Sequence, residues 1–246
     1  MEGFTYSNIF ETKGIEYLVI IGFFAILVPF WFILTRQTKI TRKIHETLGI
    51  LTAGIVRIPQ GLFFSQFHCW TFLEKSGIAK VGLDDLLLHL TGEAQFMKNV
   101  NSGDKIRKGD LLGAISQQGK VLNILSPVSG EVISYNPILV KDSNLMNEDP
   151  YGKGWLFKIR PSCWISETSS YYLAEEATEW SANELNRFRD FLANSLPVYS
   201  PEYSGVVLQD GGELRDHTLS DLPEEIWKAF QADFLSSDLS KPNPQP

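Results

Sequence analysis

The sequence predicts a mainly β domain, built as a small barrel or sandwich of short strands, with a transmembrane helix before it and an α-rich extension after it. In residues 61–163, short runs of Val, Ile, Leu and aromatic residues are cut by Gly, Asn, Asp and Pro about every eight to twelve residues, a pattern typical of short strands. An uncharged apolar run precedes this region, and apolar residues at helical spacing follow it. The hydrophobic content of 43% is that of a folded protein, so general disorder is excluded.

Charge and cysteine content exclude two further classes of protein. The chain of 246 residues carries a formal net charge of −7. This argues against a general nucleic-acid binder, because such a protein needs a basic face for phosphates. The two cysteines, Cys69 and Cys163, are too few for a disulfide framework, and neither belongs to a spaced pair of metal ligands.

A membrane-spanning helix is predicted at residues 17–35. No charged side chain occurs from Tyr17 to Leu34, and at about 1.5 Å per residue this run spans roughly 27 Å, close to the hydrocarbon thickness of a bilayer. Pro29 removes one backbone hydrogen bond, which transmembrane helices tolerate. A cleaved signal peptide fits less well, because residues 1–16 lack a basic region and no small-residue cleavage site follows the apolar run. We therefore expect a retained anchor behind a short extracytoplasmic N-terminus.

The basic residues around this segment predict its orientation. Lys13 is the only basic side chain before the span, whereas Arg36, Lys39 and Arg42 follow it closely. The positive-inside rule then places the N-terminus outside and everything after the span in the cytoplasm. We predict a single-pass protein of the cytoplasmic (inner) membrane, with residues 36–60 as a basic juxtamembrane linker.

Three sequence strings in the central region are more specific than a general strand pattern. They read NSGDKIRKGDLLG at residues 101–113, SPVSGEVISYNPIL at residues 126–139 and LMNEDPYGKGWLFKIRP at residues 145–161. In order and spacing this region resembles the glycine cleavage system H-protein family over roughly residues 64–162. The resemblance implies the barrel-sandwich hybrid fold for residues 61–163, with a short helix at Asp84–Leu90.

Members of this family carry lipoate on one lysine at the tip of a hairpin, and the resemblance implies where that lysine should stand. Counted back from Ser126, the lysine position is Gly119, and Lys120 follows one residue late. The family's acidic position is Ser116. Because successive side chains of a strand point to opposite faces, a shift of one residue turns a side chain away from its place. We therefore expect no cofactor; the alternative is lipoate on Lys120, if a deletion in the returning strand brings it to the tip.

Other chemistry-bearing residues do not form a catalytic or metal site in the sequence. His68, Cys69 and Trp70 stand where the family has His-Glu-Trp. We expect His68 to pack and hydrogen-bond locally, and Cys69 to be a small buried side chain. No histidines stand at metal-ligand spacing near a cysteine, and neither a phosphate loop nor a nucleophile elbow is present. The chain is therefore predicted to be non-catalytic and to hold no metal.

Residues 164–238 are predicted to form an acidic extension of helix, hairpin and helix. Apolar residues recur at helical spacing over residues 181–195, and an Asp-Gly-Gly run favours a hairpin at residues 204–216. Residues 239–246 are predicted to be a disordered tail.

The last helix of the extension carries a candidate partner-binding face. It begins after Ser220 with a cap signal and an acidic first turn. Its apolar face either folds back on the barrel or docks in a groove of another protein, and the sequence leaves both open. The residues of this face are Ile226, Trp227, Phe230 and Phe234.

Together these features predict a membrane-anchored, non-catalytic subunit or adaptor related to H-proteins. It would hold a cytoplasmic partner, such as a redox complex, at the membrane, and its partners would be other protein subunits and the membrane but not nucleic acid. The alternative is a functional lipoyl carrier, modified at Lys120, that serves a membrane-associated glycine-cleavage-like or redox system.

Overall fold

The computed structural model of the chain describes three stretches, residues 17–31, 49–200 and 214–236. Several predicted regions lie wholly or partly outside them. These are the N-terminus (1–16), the end of the predicted membrane helix (32–35), the start of the linker (36–48), most of the hairpin (204–213) and the tail (239–246). The predictions made for those residues stay predictions.

The chain divides into two units, residues 1–48 and residues 49–246. In the first unit, residues 17–31 form a helix, α1, with exposed side chains. Within the three described stretches, no helix has both the length and the apolar character needed to cross a bilayer. The second unit begins earlier than predicted, because Leu51 and Val56 of the predicted linker are buried in its core.

The second unit is built from short strands and five helices in its described residues. In chain order, the strands are β1 (Ile50–Leu51), β2 (Phe63–Phe64), β3 (Cys69–Leu73), β4 (Ala79–Leu83), β5 (Gln95–Lys98), β6 (Lys105–Ile106), β7 (Leu111–Gln117), β8 (Lys120–Leu125), β9 (Gly130–Tyr135), β10 (Phe157–Pro161), β11 (Tyr172–Leu173) and β12 (Leu214–Arg215). The helices are α2 (Asp85–Thr91), α3 (Leu145–Glu148), α4 (Trp164–Thr168), α5 (Ala174–Tyr199) and α6 (Glu224–Phe234), with a 3-10 helix at Thr218–Asp221.

Two antiparallel sheets share one apolar core. The larger has seven strands in the order β11-β2-β3-β4-β10-β9-β6, and the smaller has three in the order β5-β7-β8. Val81 and Phe157 of the larger sheet and Ile115 and Leu122 of the smaller sheet lie in the same buried cluster. The predicted mainly β, sandwich-like domain with a helical C-terminal region is thus confirmed.

Trp70 shows how the sequence permits close packing in the larger sheet. It stands opposite Gly82 on the neighbouring strand. A Cβ atom at Gly82 would lie 2.6 Å from the indole ring, so only glycine lets the ring lie against the strand. The indole Nε1 donates to the carbonyl of Pro150 at 3.1 Å, which satisfies the one polar atom of a buried side chain.

Helix α2, which the resemblance predicted at Asp84–Leu90, has a capping residue at each end. The Asp84 carboxylate accepts a hydrogen bond from the Leu87 backbone N–H at 2.8 Å, as an N-cap does. Gly92 ends the helix with a φ of 72°, and a Cβ atom there would lie 2.8 Å from the His217 ring. The same glycine therefore ends a helix and leaves room for a residue of the C-terminal segment.

Helix α5 is longer than the predicted helix over residues 181–195, since it begins at Ala174 and ends at Tyr199. Trp180 explains the earlier start, because its ring stacks on Tyr172 with centroids 5.0 Å apart. Further along the helix, Phe188 meets Phe230 of α6 at a centroid distance of 5.7 Å. The C-terminal helix therefore packs in cis on α5.

Candidate functional site

The candidate site lies at the tip of the hairpin formed by β7 and β8. Gln117 pairs with Lys120, so Gln118 and Gly119 form a two-residue turn. Both turn residues have positive φ, 52° and 84°, as a type I′ turn requires. The space around Gly119 is open. The backbone conformation of the turn, rather than crowding, is what favours a glycine here.

Lys120 is held by the C-terminal segment. Its Nζ donates to the carbonyl of Ser220 at 2.5 Å and to that of Leu222 at 3.0 Å. The ammonium also lies 5.1 Å from the centre of the Trp227 ring, within the range of a cation–π contact. Burial lowers the pKa of Lys120, and the charge of Asp221 opposes that shift. The hairpin lysine is thus engaged by two neutral oxygens and an aromatic face.

A side chain of α6, Gln231, hydrogen-bonds to the backbone of strand β8. Gln231 Oε1 accepts from the Asn123 backbone N–H at 2.6 Å, and Gln231 Nε2 donates to the Asn123 carbonyl at 3.4 Å. A shallow groove of about 280 Å³ runs beside this contact, and Gly119, Val121 and Trp227 are among its lining residues. We refer to residues 214–236, which make all these contacts to the hairpin, as the C-terminal cap.

The other end of the C-terminal cap is fastened to the barrel. Strand β12 pairs with β1, with Leu51 opposite Leu214, so the described end of the predicted 204–216 hairpin pairs with β1. His89 Nδ1 donates to Asp216 at 2.8 Å, and Asp85 lies 3.5 Å from the other ring nitrogen. Burial alone would lower the pKa of His89, but the hydrogen bonds to Asp216 and Asp85 outweigh it and raise the pKa to about 9.

The comparisons with known proteins agree on one family. The family model described as "Glycine cleavage H-protein" matches residues 62–184. A glycine cleavage system H protein of Bacteroides fragilis is 33% identical over 107 residues, which are 44% of this chain and 84% of that protein. That of Streptomyces avermitilis is 31% identical over 125 residues, which are 51% of this chain and 98% of that protein. The chain belongs to the glycine cleavage H-protein family.

A solved structure is also similar to this H-protein family member. The crystal structure of a glycine cleavage system H protein from Mycobacterium marinum matches it with a TM-score of 0.45 and 22% sequence identity, covering 52% of this chain and 99% of that one. The family match ends at residue 184, within α5. The C-terminal cap therefore lies outside the part of the chain that the H-protein model matches.

In this H-protein family member, Gly119, the position that the sequence analysis predicted for a lipoyl-lysine, is the second residue of the turn. Lys120, the alternative, is the first residue of the returning strand. In the arrangement described, Lys120 does not fit an attached lipoate. Acylation would remove the ammonium charge and at least one N–H group, and both are used in the contacts with the C-terminal cap. A lipoyl group on Lys120 requires that the cap first leave the hairpin.

His68 is a structural ion-pair residue at the H-protein family's His-Glu-Trp position. Its Nδ1 donates to Asp84 at 2.8 Å, and its Nε2 lies 3.6 Å from a Glu184 oxygen. Burial alone would lower the pKa of His68, but Asp84 and then Glu184 outweigh it and raise the pKa to about 10. The adjacent Cys69 is buried, and burial raises the pKa of its thiol. Cys69 is a buried side chain, as the sequence indicated, whereas His68 goes beyond the local contact that the sequence indicated, because it also pairs with Glu184 of α5.

The candidate partner-binding residues are buried within the chain. Their exposed fractions are 0%, 0%, 0% and 4% for Ile226, Trp227, Phe230 and Phe234. Of the two alternatives that the sequence left open, the structure shows the helix packed in cis. Partner binding by these four side chains stays a prediction, and it requires that the helix be displaced from the barrel.

The structure brings together two residues that the sequence named separately, Lys120 and Trp227, and adds others that the sequence did not indicate. Ser220 and Leu222 contribute only backbone carbonyls, which leave no signal in a sequence. Gln231 lies on the predicted last helix, but nothing in its spacing pointed to the edge of β8. Among the described residues, no group of His, Cys, Asp or Glu side chains is arranged to hold a metal ion.

Proposed function

We propose that the chain is a non-catalytic subunit or adaptor that uses the H-protein fold for contacts with other proteins. The observation that carries this proposal is the engagement of Lys120 by the carbonyls of Ser220 and Leu222. A swinging carrier needs a lysine that is free to be acylated and to move. Here the hairpin lysine is used to fasten the C-terminal cap, and the family's lysine position is a glycine in a turn that favours glycine.

The contacts that α6 makes with the hairpin support the same proposal. Asn123 and Gln231 place α6 along the edge of the lysine-bearing strand, so an enzyme that reads both strands of the hairpin meets the helix first. The aromatic face of Trp227 also lies beside the ammonium of Lys120. Because the indole and the two carbonyls hold the amine against the C-terminal cap, these contacts restrict the approach of the enzyme.

The mass of the native protein tests this proposal. The full chain is purified from its native host and measured intact, beside a Lys120→Arg variant expressed in the same host. We expect the mass of the unmodified chain in both. A mass increase equal to one lipoyl group in the natural chain, absent from Lys120→Arg, would reject the proposal and establish the carrier alternative.

The carrier alternative has one observation in its favour, which is the place of Lys120 directly after the turn. It is the lysine nearest to the family's position, and an H-protein-like chain modified there would serve a membrane-associated glycine-cleavage-like or redox system. What opposes it is the cap, which would have to leave before modification. A chain in which the cap is weakened but which stays unmodified in the native host would argue against this alternative.

We further propose that the chain is a single-pass protein of the cytoplasmic membrane, with its N-terminus outside. The support is the uncharged run from Tyr17 to Leu34 and the basic residues that follow it, Arg36, Lys39, Arg42 and Lys43. Fractionation of native cells tests the proposal, with carbonate washing to remove peripheral proteins. Recovery in the washed membrane fraction is expected, and loss of that recovery when Ile20 and Phe24 are both changed to Lys would assign the anchor to this run. Release of the natural chain by carbonate would contradict it.

The partner is proposed to be another protein subunit of a membrane-associated complex. Affinity capture of the tagged full chain from detergent extracts tests this, with a matched extract that contains only the tag as control. We expect the same protein subunits to be recovered in repeated captures. If stringent washing leaves the chain alone, the adaptor proposal loses its support.

A further inference from the structure

The C-terminal cap touches the hairpin with the kinds of group that a protein ligand uses. Two backbone carbonyls accept hydrogen bonds from Lys120, and one aromatic ring faces its ammonium. These contacts depend on a peptide backbone and one indole, both of which any protein can supply. A second polypeptide with the same groups could make the same contacts with the hairpin.

The cap also covers the edge of a sheet, to which another chain could otherwise bind. Strand β8 is the last strand in the order β5-β7-β8, and the edge strand of a sheet offers unpaired N–H and C=O groups to another chain. The amide of Gln231 both accepts from and donates to the backbone of Asn123. It reproduces at one residue the pair of hydrogen bonds that a neighbouring antiparallel strand makes. The cap thus stands in the place of a partner backbone.

The cap has its own internal organisation. The Trp227 indole N–H donates to the carbonyl of Leu219 at 2.7 Å, which joins α6 to the 3-10 helix that precedes it. Of the two residues that hold Lys120, Ser220 lies in that 3-10 helix and Leu222 directly follows it. The carbonyls of Ser220 and Leu222 and the ring of Trp227 are therefore held together within the C-terminal cap, so that the cap can dock as one unit.

We infer that the C-terminal cap is a built-in competitor for a protein partner: it occupies the hairpin surface on which that partner docks, and the partner presents an amphipathic helix with an aromatic stripe, preceded by free backbone carbonyls. This inference rests on the proposed function, since it takes the hairpin as a surface for protein contacts. It adds the chemistry of the partner and the means by which docking is regulated.

Tethering explains why such a competitor is effective. A segment joined to its own binding surface acts at an effective concentration on the order of millimolar, so a partner in solution binds only to the fraction of molecules whose surface is free. Weakening the cap raises that fraction and, with it, the apparent affinity for the partner. The hairpin surface itself is unchanged by substitutions in the cap.

The test uses a fluorescently labelled synthetic peptide of residues 214–236 as the partner in trans. Its binding to the detergent-purified full chain is measured by fluorescence anisotropy for the natural chain and for Trp227→Ala and Gln231→Ala. We expect the Trp227→Ala chain to bind the peptide about tenfold more tightly or better, because truncating a buried aromatic side chain weakens the cis contact by more than one decade of affinity. Gln231→Ala should change affinity in the same direction by less.

Two control variants make the result specific. Glu225→Gln alters an exposed side chain of α6 that does not line the groove beside the hairpin, and should leave peptide binding as in the natural chain. Lys120→Gln, added to Trp227→Ala, should lower that variant's affinity for the peptide by about twofold to fivefold, because it removes the cation that the peptide holds.

Equal, weak binding to the natural chain and to both cap variants would overturn the inference, as would an equal gain with Glu225→Gln. If Trp227→Ala loses its folded circular dichroism spectrum, Gln231→Ala decides the question. The outcome is separable from that of the proposed function. A lipoylated native chain rejects the proposed function, whereas the peptide measurement is made on unmodified protein and reports only whether the cap competes for the hairpin.

Discussion

His68 and Lys120 are two cations that occupy comparable places, each joining the barrel to a C-terminal element, and they are held in different ways. The His68 ring is buried and lies between two carboxylates, Asp84 and Glu184. All three residues fall within the stretch that the H-protein model matches. Lys120 is half-buried and is held by neutral carbonyls of the C-terminal cap, which lies beyond that stretch.

The contacts of His68 are permanent, whereas those of Lys120 can be exchanged. A buried carboxylate that loses its cation pays a large desolvation penalty, so the His68 ion pairs belong to the native fold as such. A half-buried ammonium that leaves two carbonyls can be hydrated by water instead, at little net cost. The first contact is thus suited to fixing α5 on the barrel, and the second to a surface that can change partners.

The largest effect should follow from breaking the buried ion pair. We expect His68→Ala to lower the free energy of unfolding by about 3–5 kcal/mol, because Asp84 is left with an unpaired buried charge. Urea unfolding followed by circular dichroism measures it. Lys75→Ala, at an exposed lysine, is the control and should change stability by less than about 0.5 kcal/mol. A loss below about 1 kcal/mol for His68→Ala would remove the contrast with Lys120.

The pH dependence of stability should report the ion pair that fastens the far end of the cap. The pKa of His89 is raised from 6.5 to about 9, so its charged form stabilises the fold. That contribution is fully present below pH 6.5 and is lost as the pH rises through 9. Between pH 7 and pH 10, the free energy of unfolding should fall by about 1–2 kcal/mol more in the natural chain than in the Asp216→Asn variant. In that variant, the main partner of the His89 ring is neutral. Parallel urea midpoints for the two chains across this range would contradict the assignment.

Two glycines offer a matched test of how the cap fits the barrel. Gly92 and Gly77 both have positive φ, 72° and 78°, but only at Gly92 would a Cβ atom meet another group, the His217 ring at 2.8 Å. Substitution by Ala strains the backbone at both sites, and at Gly92 it also displaces His217. We expect Gly92→Ala to lower the free energy of unfolding by about 1 kcal/mol more than Gly77→Ala does, as measured by thermal or urea unfolding. Equal losses of free energy of unfolding would mean that His217 of the C-terminal cap does not pack against the end of α2.

The smallest effect should come from Lys120. We expect Lys120→Met to lower the free energy of unfolding by about 0.5–1 kcal/mol, the net value of hydrogen bonds whose acceptors can turn to water. Lys75→Met is the control for a change of charge alone. A loss as large as that of His68→Ala would show that the hairpin contact is as permanent as the ion pair, and the comparison between the two cations would fail.

Much of the barrel could be predicted from the sequence, because its signals are local. Asp84 and Gly92 are a cap and a stop for a short helix, and both act within one or two turns of the chain. Gly119 lies in a two-residue turn at the place where the sequence positioned the hairpin. The earlier start of α5 was missed, although Ala177 and Trp180 continue its buried face at helical spacing.

The family, the short-strand domain and the glycine at position 119 could all be read from the sequence, since each depends on residue identity and spacing along the chain. The contacts of Lys120 follow only from the folded arrangement. Its acceptors are backbone carbonyls about a hundred residues away, and every residue has such a carbonyl, so the pattern of side chains cannot specify which ones meet it. The choice between packing in cis and docking on a partner was likewise made by the shape of the barrel and α5, which buries the stripe of α6 in the chain's own core.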